Sequence, residues 1–476
     1  MKHGMSILLG AALLPGCTLE PKYVAPKPAI ALAWPAGDAY SVTSEATLPT
    51  VNYRDILRDP RLQALIERAL ANNQDLRVAL ANVVSARAQY RVQRAELLPA
   101  VDANAKAATG ETSTATQSSN ASSASNGRIT TYSANVGMSA FEIDLFGRIR
   151  SLTKAALQEY LGTEAAARTA RLTLVSEVAS TWLTLATDRS LLAIAADTEA
   201  SATRTVDLTR ARLKGGIAPR TDVRQAETVL AQAQADRANL TTIVAQDRNA
   251  LDLLVGTPVA DTELPESIEA VDGLLGEPPA GLDSRILLRR PDVVQAEYRL
   301  RAANARIGAA RANFFPTISL TAAAGLASSA LSSLFTGGAF TWSVAPSATL
   351  PLFDGGANAG SLAYAKAQRE LAVAQYQQAI QAAFRDVADA LARRGTIDRQ
   401  YKAQANLEAA ARDNYQLAQA RYHEGIDPYL STLDAQRTFY AARRSLASVR
   451  LVRADNLVTL YRSLGGDMLM DAPIKR

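Results

Sequence analysis

The chain has 476 residues, with 51 Lys and Arg against 46 Asp and Glu, a formal net charge of +5, one cysteine and two histidines. A single thiol cannot close an internal disulfide, and Cys17 with His423 cannot assemble a zinc cluster, a catalytic triad or a Cys/His pair once His3 leaves with the leader. The arginines lie along helical stretches among acids, without aromatic interleaving; this reads as solvated faces and ion pairs and excludes a nucleic-acid patch.

The amino end reads as a signal peptide over residues 1–16: Met1-Lys2-His3, an apolar run from Ile7 to Leu14, then Gly16 before Cys17. The position of Cys17 predicts lipid attachment there, the only covalent group expected on the chain; no cofactor and no metal site is expected. Residues 17–59 read as a lipidated extended segment, with Pro21, Pro26, Pro28, Pro35 and Pro49 suiting a tether laid over other structure. No mature segment approaches the roughly 18 apolar residues of a spanning helix, so a membrane crossing would require strands in a closed barrel.

From Pro60 the chain is built twice. Asp75 and Pro99 are 24 residues apart, as are Asp292 and Pro316, and the intervals close on Leu97-Leu98-Pro99 and Phe314-Phe315-Pro316. The first repeat, 60–256, predicts a helix from Pro60 to Leu97 and then a strand pair over about 99–145. Val101, Ala103, Ala105 and Ala107 form one apolar face, and Tyr132, Ala134, Val136, Met138 and Ala140 another, with a polar loop around 110–130. A proline-free helix over 147–213, about 100 Å long at 1.5 Å per residue, leads to a turn at 214–221 and a returning helix from Thr221 to Val255. Residues 257–283 carry four prolines and seven acids with no basic residue, and read as an acidic surface crossover.

The second repeat, 284–466, follows the same order. Its strand pair over about 316–353 places Ile318, Leu320, Ala322, Ala324 and Leu326 on one face, and Phe340, Trp342, Val344, Pro346, Ala348, Leu350 and Leu352 on the other strand's matching face. A long helix over 361–424, a turn at 423–430 and a returning helix from Ser431 to Leu464 complete it, before a tail at 467–476. Segments of about ten residues with one apolar face carry the signature of outer-membrane strands. The opposite faces hold Ser, Thr, Gly, Asn and small Ala, suited to a wet lumen. Four strands cannot close such a barrel, whose smallest form has about eight, so several chains must share one. The fold class is an α+β membrane channel with an internal tandem duplication.

The run Ser284-Arg285-Ile286-Leu287-Leu288-Arg289-Arg290-Pro291-Asp292-Val293, continuing to Arg311 and Phe314-Phe315-Pro316, resembles the TolC-like outer-membrane efflux channel family. Asp59-Pro60-Arg61-Leu62, Asn73-Gln74-Asp75-Leu76, Leu352-Phe353-Asp354-Gly355-Gly356 and both Gly-Ile-x-Pro turns are similar to it as well. With Cys17, the likeness points to the lipoprotein branch that serves RND-type multidrug pumps. It implies a homotrimer whose 12 strands, four per chain, form one outer-membrane barrel, continued by a periplasmic tunnel of coiled-coil helix pairs. Implied partners are outer-membrane lipid, a periplasmic adaptor and an inner-membrane pump. Adaptor-contacting positions would be Gly215, Gly216, Ile217 and Pro219 on the first turn, and Gly425, Ile426 and Pro428 on the second. The resemblance places a periplasmic gate at Tyr422, Asp434 and Asp222; Asp427 and Ser431 occupy gate positions where the family's pattern has other residues, and a pairing of Asp427 with Arg220 completes the expected gate. Helix capping is the competing explanation for Asp222 and Ser431.

No catalytic constellation is present. Gly355-Gly356 lacks the lysine and spacing of a phosphate loop, and Asp386 with Asp389 reads as solvated helical charge. The expected function is a passive outer-membrane exit duct for drugs or other small toxic compounds. Alternatives are a type I protein-secretion duct and a trimeric coiled-coil surface protein.

Overall fold

The computed structural model describes residues 18–27, 30, 34–35, 37–40, 52–111, 128–271 and 284–466. The signal segment, Cys17, the centre of the first strand loop and the tail at 467–476 lie outside the described residues. The duplication is visible in element lengths. Helix α3 (Gln74–Ala95) and helix α7 (Pro291–Ala312) have 22 residues each, and the long helices α4 (Arg148–Lys214) and α8 (Ala357–His423) have 67 each. The returning helices α5 (Arg220–Val255) and α9 (Tyr429–Ser463) have 36 and 35. Short helices α1 (Tyr53–Ile56) and α2 (Pro60–Asn72) precede the first copy, and α6 (Ile268–Val271) lies between the two.

The helix expected from Pro60 to Leu97 is two helices. Asn73 leaves helical backbone at φ −59, ψ 131 because its side chain serves two other ends. Its Oδ1 accepts from the Leu76 N–H at 2.9 Å, capping α3, while its Nδ2 donates to the Leu254 carbonyl at the end of α5 at 3.0 Å. Asp59 caps α2 in the same manner, accepting from Arg61 N at 2.8 Å with Pro60 in the first helical position. Burial alone would raise the Asp59 carboxyl, but its bonds from Arg61 hold it below the usual range.

One structural unit comprises the strands, the helix segments adjoining them (residues 83–163 and 296–375) and the start of the tether. Strands β1 (Asp102–Glu111), β2 (Arg128–Glu142), β3 (Thr317–Ser328) and β4 (Phe340–Thr349) form one antiparallel sheet in sequence order. Its registers line up the alternation across all four strands. Ala103 pairs with Val136, Val136 with Ala324, and Ala324 with Trp342; one row over run Ala105, Ala134, Leu326 and Phe340. The other face runs Asn104, Asn135, Gly325 and Thr341. A side chain at Gly325 would meet the Ala134 carbonyl oxygen at 2.3 Å, so only glycine lets β2 and β3 pass there.

Two strand expectations change. Met138 pairs with Ala322 but Phe141 pairs with Leu320, so β2 carries one extra residue. Ala140 sits in that bulge at φ 50, its N–H donating to Thr321 Oγ1 at 3.1 Å, and it leaves the apolar row expected to include it. Strand β4 ends at Thr349, ahead of Pro351, so Leu350 and Leu352 lie beyond the ladder and are exposed. The extended tether does run over other elements. Asn304 donates to the Pro21 carbonyl at 2.8 Å, Arg311 to that of Leu19 at 3.1 Å, and Lys154 pairs with Glu20 at 2.8 Å.

The second unit holds the remaining helix. Here the acidic crossover is docked rather than free along its described part: Val259, Leu264, Ile268 and Val271 are buried. Arg68 forks onto Glu263 with two bonds of 3.0 Å, and Arg189 donates to the Pro265 carbonyl at 2.7 Å. The acids that made this stretch resemble a solvated linker are the groups that fasten it. Asp386 likewise accepts from Arg385 at 2.8 Å and Arg290 at 3.4 Å, instead of standing as free solvated charge.

Candidate functional site: the paired helix turns

Each long helix stops by the same device. Gly216 (φ 75) and Gly425 (φ 76) occupy the left-handed region that only glycine enters at no steric cost. In the first turn Gly216 N donates to Leu213 O and Ile217 N to Arg212 O, both at 3.0 Å. In the second, Gly425 N donates to Tyr422 O at 3.0 Å and Ile426 N to Arg421 O at 2.9 Å. These are two copies of the Schellman closure, and Pro219 and Pro428 then open α5 and α9. Ile217 and Ile426 stand out from the turns, 76% and 61% exposed, two apolar knobs that no described residue covers.

The chemistry differs where the backbone does not. Asp427 takes a two-pronged bond from Arg421 within its own turn, at 2.6 and 3.0 Å, and the expected pairing with Arg220 is absent. That contact lowers the Asp427 carboxyl. The equivalent of Arg421 in the first copy is Arg212, and the equivalent of Asp427 is Ala218. Lacking an acid in its own turn, Arg212 reaches across to the second hairpin. Its Nη2 donates to the His423 carbonyl at 2.8 Å, and its guanidinium lies over the Tyr422 ring, 4.4 Å from the centroid.

Tyr422 packs against Tyr429, ring centroids 5.4 Å apart, in a buried cluster with Val206, Ala226 and Leu433. Both hydroxyls are buried, and the Arg212 guanidinium over the face of the Tyr422 ring also acts on its oxygen, opposing the upward push of burial. Burial pushes the Tyr422 and Tyr429 hydroxyls up, and Asp222, near enough for its charge to act on both, is raised by its own burial. Asp222 thus stands beside Tyr422 without bonding it. Neither Asp222 nor Ser431 caps its helix: the N-cap positions are Pro219 and Pro428, with no side-chain cap bond. Ser431, Asp434 and Arg220 are exposed.

Higher up, further bonds tie the two hairpins. Ser201 bonds Tyr415 at 2.9 Å, Tyr440 donates to Asp236 at 2.6 Å, and Arg443 pairs with Asp197 at 3.0 Å. Within the first hairpin, Asp188 on α4 and Asp247 on α5 share a hydrogen bond; burial, then the bond and charge of Asp188, push the Asp247 carboxyl up to about 7. Sequence reading missed Arg212 and this carboxyl pair. The duplication held the signal for Arg212, since aligning the turns exposes an arginine whose acid is missing.

An arrangement of duplicated helical hairpins and a two-faced, open-edged sheet defines a subunit of an outer-membrane channel. Both halves, residues 65–257 and 282–466, match the family model described as outer membrane efflux protein, and the long helices and all four strands fall inside these segments. The chain belongs to the outer membrane efflux protein family and is a protein of the outer membrane. It is 44% identical over 469 residues to the antibiotic efflux pump outer membrane protein ArpC of Pseudomonas putida, covering 98% of this chain and 96% of that one. The figures are the same for the toluene efflux pump outer membrane protein TtgC, also of Pseudomonas putida. Among solved structures, the open state of the Neisseria gonorrhoeae MtrE outer membrane channel is similar at a TM-score of 0.80 and 35% identity, over 94% of this chain and 98% of that one.

Proposed function

We propose that the protein is the passive exit duct of a tripartite efflux system, carrying small toxic compounds from the periplasm through the outer membrane. Three copies join the free edges of β1 and β4 into one 12-stranded barrel, and their helices continue it as a coiled-coil tunnel. The observation that carries this reading is the sheet itself. Both edges are unpaired among the described residues, and its apolar face leaves Val136, Phe340, Trp342 and Val344 more than half exposed. An open edge and an apolar surface of that kind are tolerated only when other strands and lipid cover them. Lipid on Cys17 adds an anchor at the end of the tether.

The chain performs no catalysis; the driving force comes from an RND-type pump in the inner membrane, coupled through a periplasmic adaptor that engages the exposed Ile217 and Ile426 turns. Release of the second hairpin from the first, at the Arg212 contacts, opens the periplasmic mouth. Relatives of equal identity are named for antibiotics and for toluene, which fits a conduit that leaves selection to the pump. Purified full-length protein should run as a trimer and form cation-conducting pores in planar bilayers, and deleting its gene should sensitise cells to small hydrophobic toxins. A monomer without pores would overturn the reading. Mass spectrometry of the mature amino terminus tests the lipid separately.

A further inference from the structure

One to two turns above the tyrosine cluster, α4, α5 and α9 line a half-open cavity of about 270 Å³ between Thr198, Thr228, Val229, Ala233, Gln436 and Tyr440, together with Gln232 and Arg437. Its polar lining is unevenly engaged. The Thr198 and Thr228 hydroxyls donate to carbonyls of their own helices, so toward the cavity they can only accept. Asp236, the nearby carboxylate, is already held by Tyr440 at 2.6 Å, Gln232 at 2.9 Å and Arg444 at 3.7 Å. Gln436 is different: it is only 4% exposed, and its side-chain amide makes no hydrogen bond among the described residues. Next to it Arg437 is exposed and has no ion-pair partner among them.

With no protein partner, and open to the cavity rather than sealed from it, the Gln436 amide is available to whatever fills the cavity. The free donors converging here are one amide and one guanidinium, both on α9, above an apolar floor from Val229 and Ala233. We infer that this cavity is a binding site for a small amphipathic carboxylate. Its acid group accepts from Arg437 and Gln436, its body lies on Val229, Ala233 and the Tyr440 ring, and any hydroxyl it carries donates to Thr198 or Thr228. The volume holds roughly ten non-hydrogen atoms at protein-like packing density, the size of an aromatic acid. A cationic ligand is disfavoured because the one acid at hand is saturated and the unpaired charge is positive. Since the walls belong to both hairpins, an occupant cross-braces α5 to α9 and holds the second hairpin closed. That consequence rests on the duct reading, whereas the binding itself does not.

Sodium benzoate titrated calorimetrically into the full-length protein in detergent should bind saturably, once per chain. Arg437→Ala and Gln436→Leu, checked for unchanged Tm and assembly, should each weaken it about tenfold, the scale of one charge-assisted hydrogen bond, and benzyl alcohol should bind less well than benzoate. No saturable binding, or wild-type affinity in both variants, would overturn the site. In bilayers, benzoate should lower the open probability of the wild type but not of Arg437→Ala. Binding with no effect on an otherwise active wild-type pore would overturn the brace, while a protein that binds benzoate but never conducts would overturn the duct reading and leave the site standing.

Discussion

The turns Gly216-Ile217-Ala218-Pro219 and Gly425-Ile426-Asp427-Pro428 share one backbone and divide their labour by a single side chain. In the second turn Asp427 retains Arg421, making that tip self-contained. In the first, Ala218 offers nothing, and Arg212 becomes the strut between hairpins. In a duplicated unit the same arginine can therefore serve a local contact in one copy and an inter-unit contact in the other.

The largest expected effect comes from cutting the strut. Arg212→Ala should raise single-channel conductance several-fold, while Arg421→Ala, the same change in the other copy, should leave it near wild type; equal effects would erase the distinction. Transplanting the acid is the sharper test. Ala218→Asp should let the first turn capture Arg212 and raise conductance in the same direction but less, and adding Asp427→Ala to Ala218→Asp should not restore the closed level, since Arg421 does not reach the ring.

The third prediction concerns pH, for which the first hairpin has a device that the second does not show among the described residues. Asp247 carries a raised pKa, so the folded hairpin binds more protons than the unfolded chain between the ordinary aspartate range and about 7. Its contribution is complete below the unfolded value and is lost as pH rises through the folded one. The apparent Tm should therefore fall by a few degrees between about pH 5 and 8, and Asp247→Asn should flatten that slope. The smallest effect should also be the most symmetrical. Gly216→Ala and Gly425→Ala each force an L-residue to positive φ, costing about 1 kcal/mol by denaturant unfolding, and unequal costs would show that the two closures are not the same.

The architecture was legible because its determinants are periodic. Alternation at Phe340, Trp342 and Val344 and long proline-free stretches need no partner to be recognised, and the repeat fixed the order. What escaped depended on one residue meeting another far away. Nothing near Asn73 announces that its amide is wanted at Leu254, and the acids at Glu263 and Glu269 look solvated until α4 and Arg68 are set beside them. At the turns, the pair expected from the sequence is not the pair that forms. Sequence reading paired Asp427 with Arg220 of the other turn, whereas the Schellman closure folds Asp427 back onto Arg421, six residues earlier on the last turn of α8.

The two 67-residue helices impose a rule on how such a chain can change. Removing one residue from either would shorten it by about 1.5 Å and rotate everything beyond by about 100°, turning Arg212 or Tyr422 away from its counterpart. Insertions and deletions in these helices are thus tolerable only as matched pairs, or in steps of about seven residues that restore the facing. Equal length is inherited here as a ruler, and descendants of the duplication are free to vary in loops and charges while the ruler stays uncut.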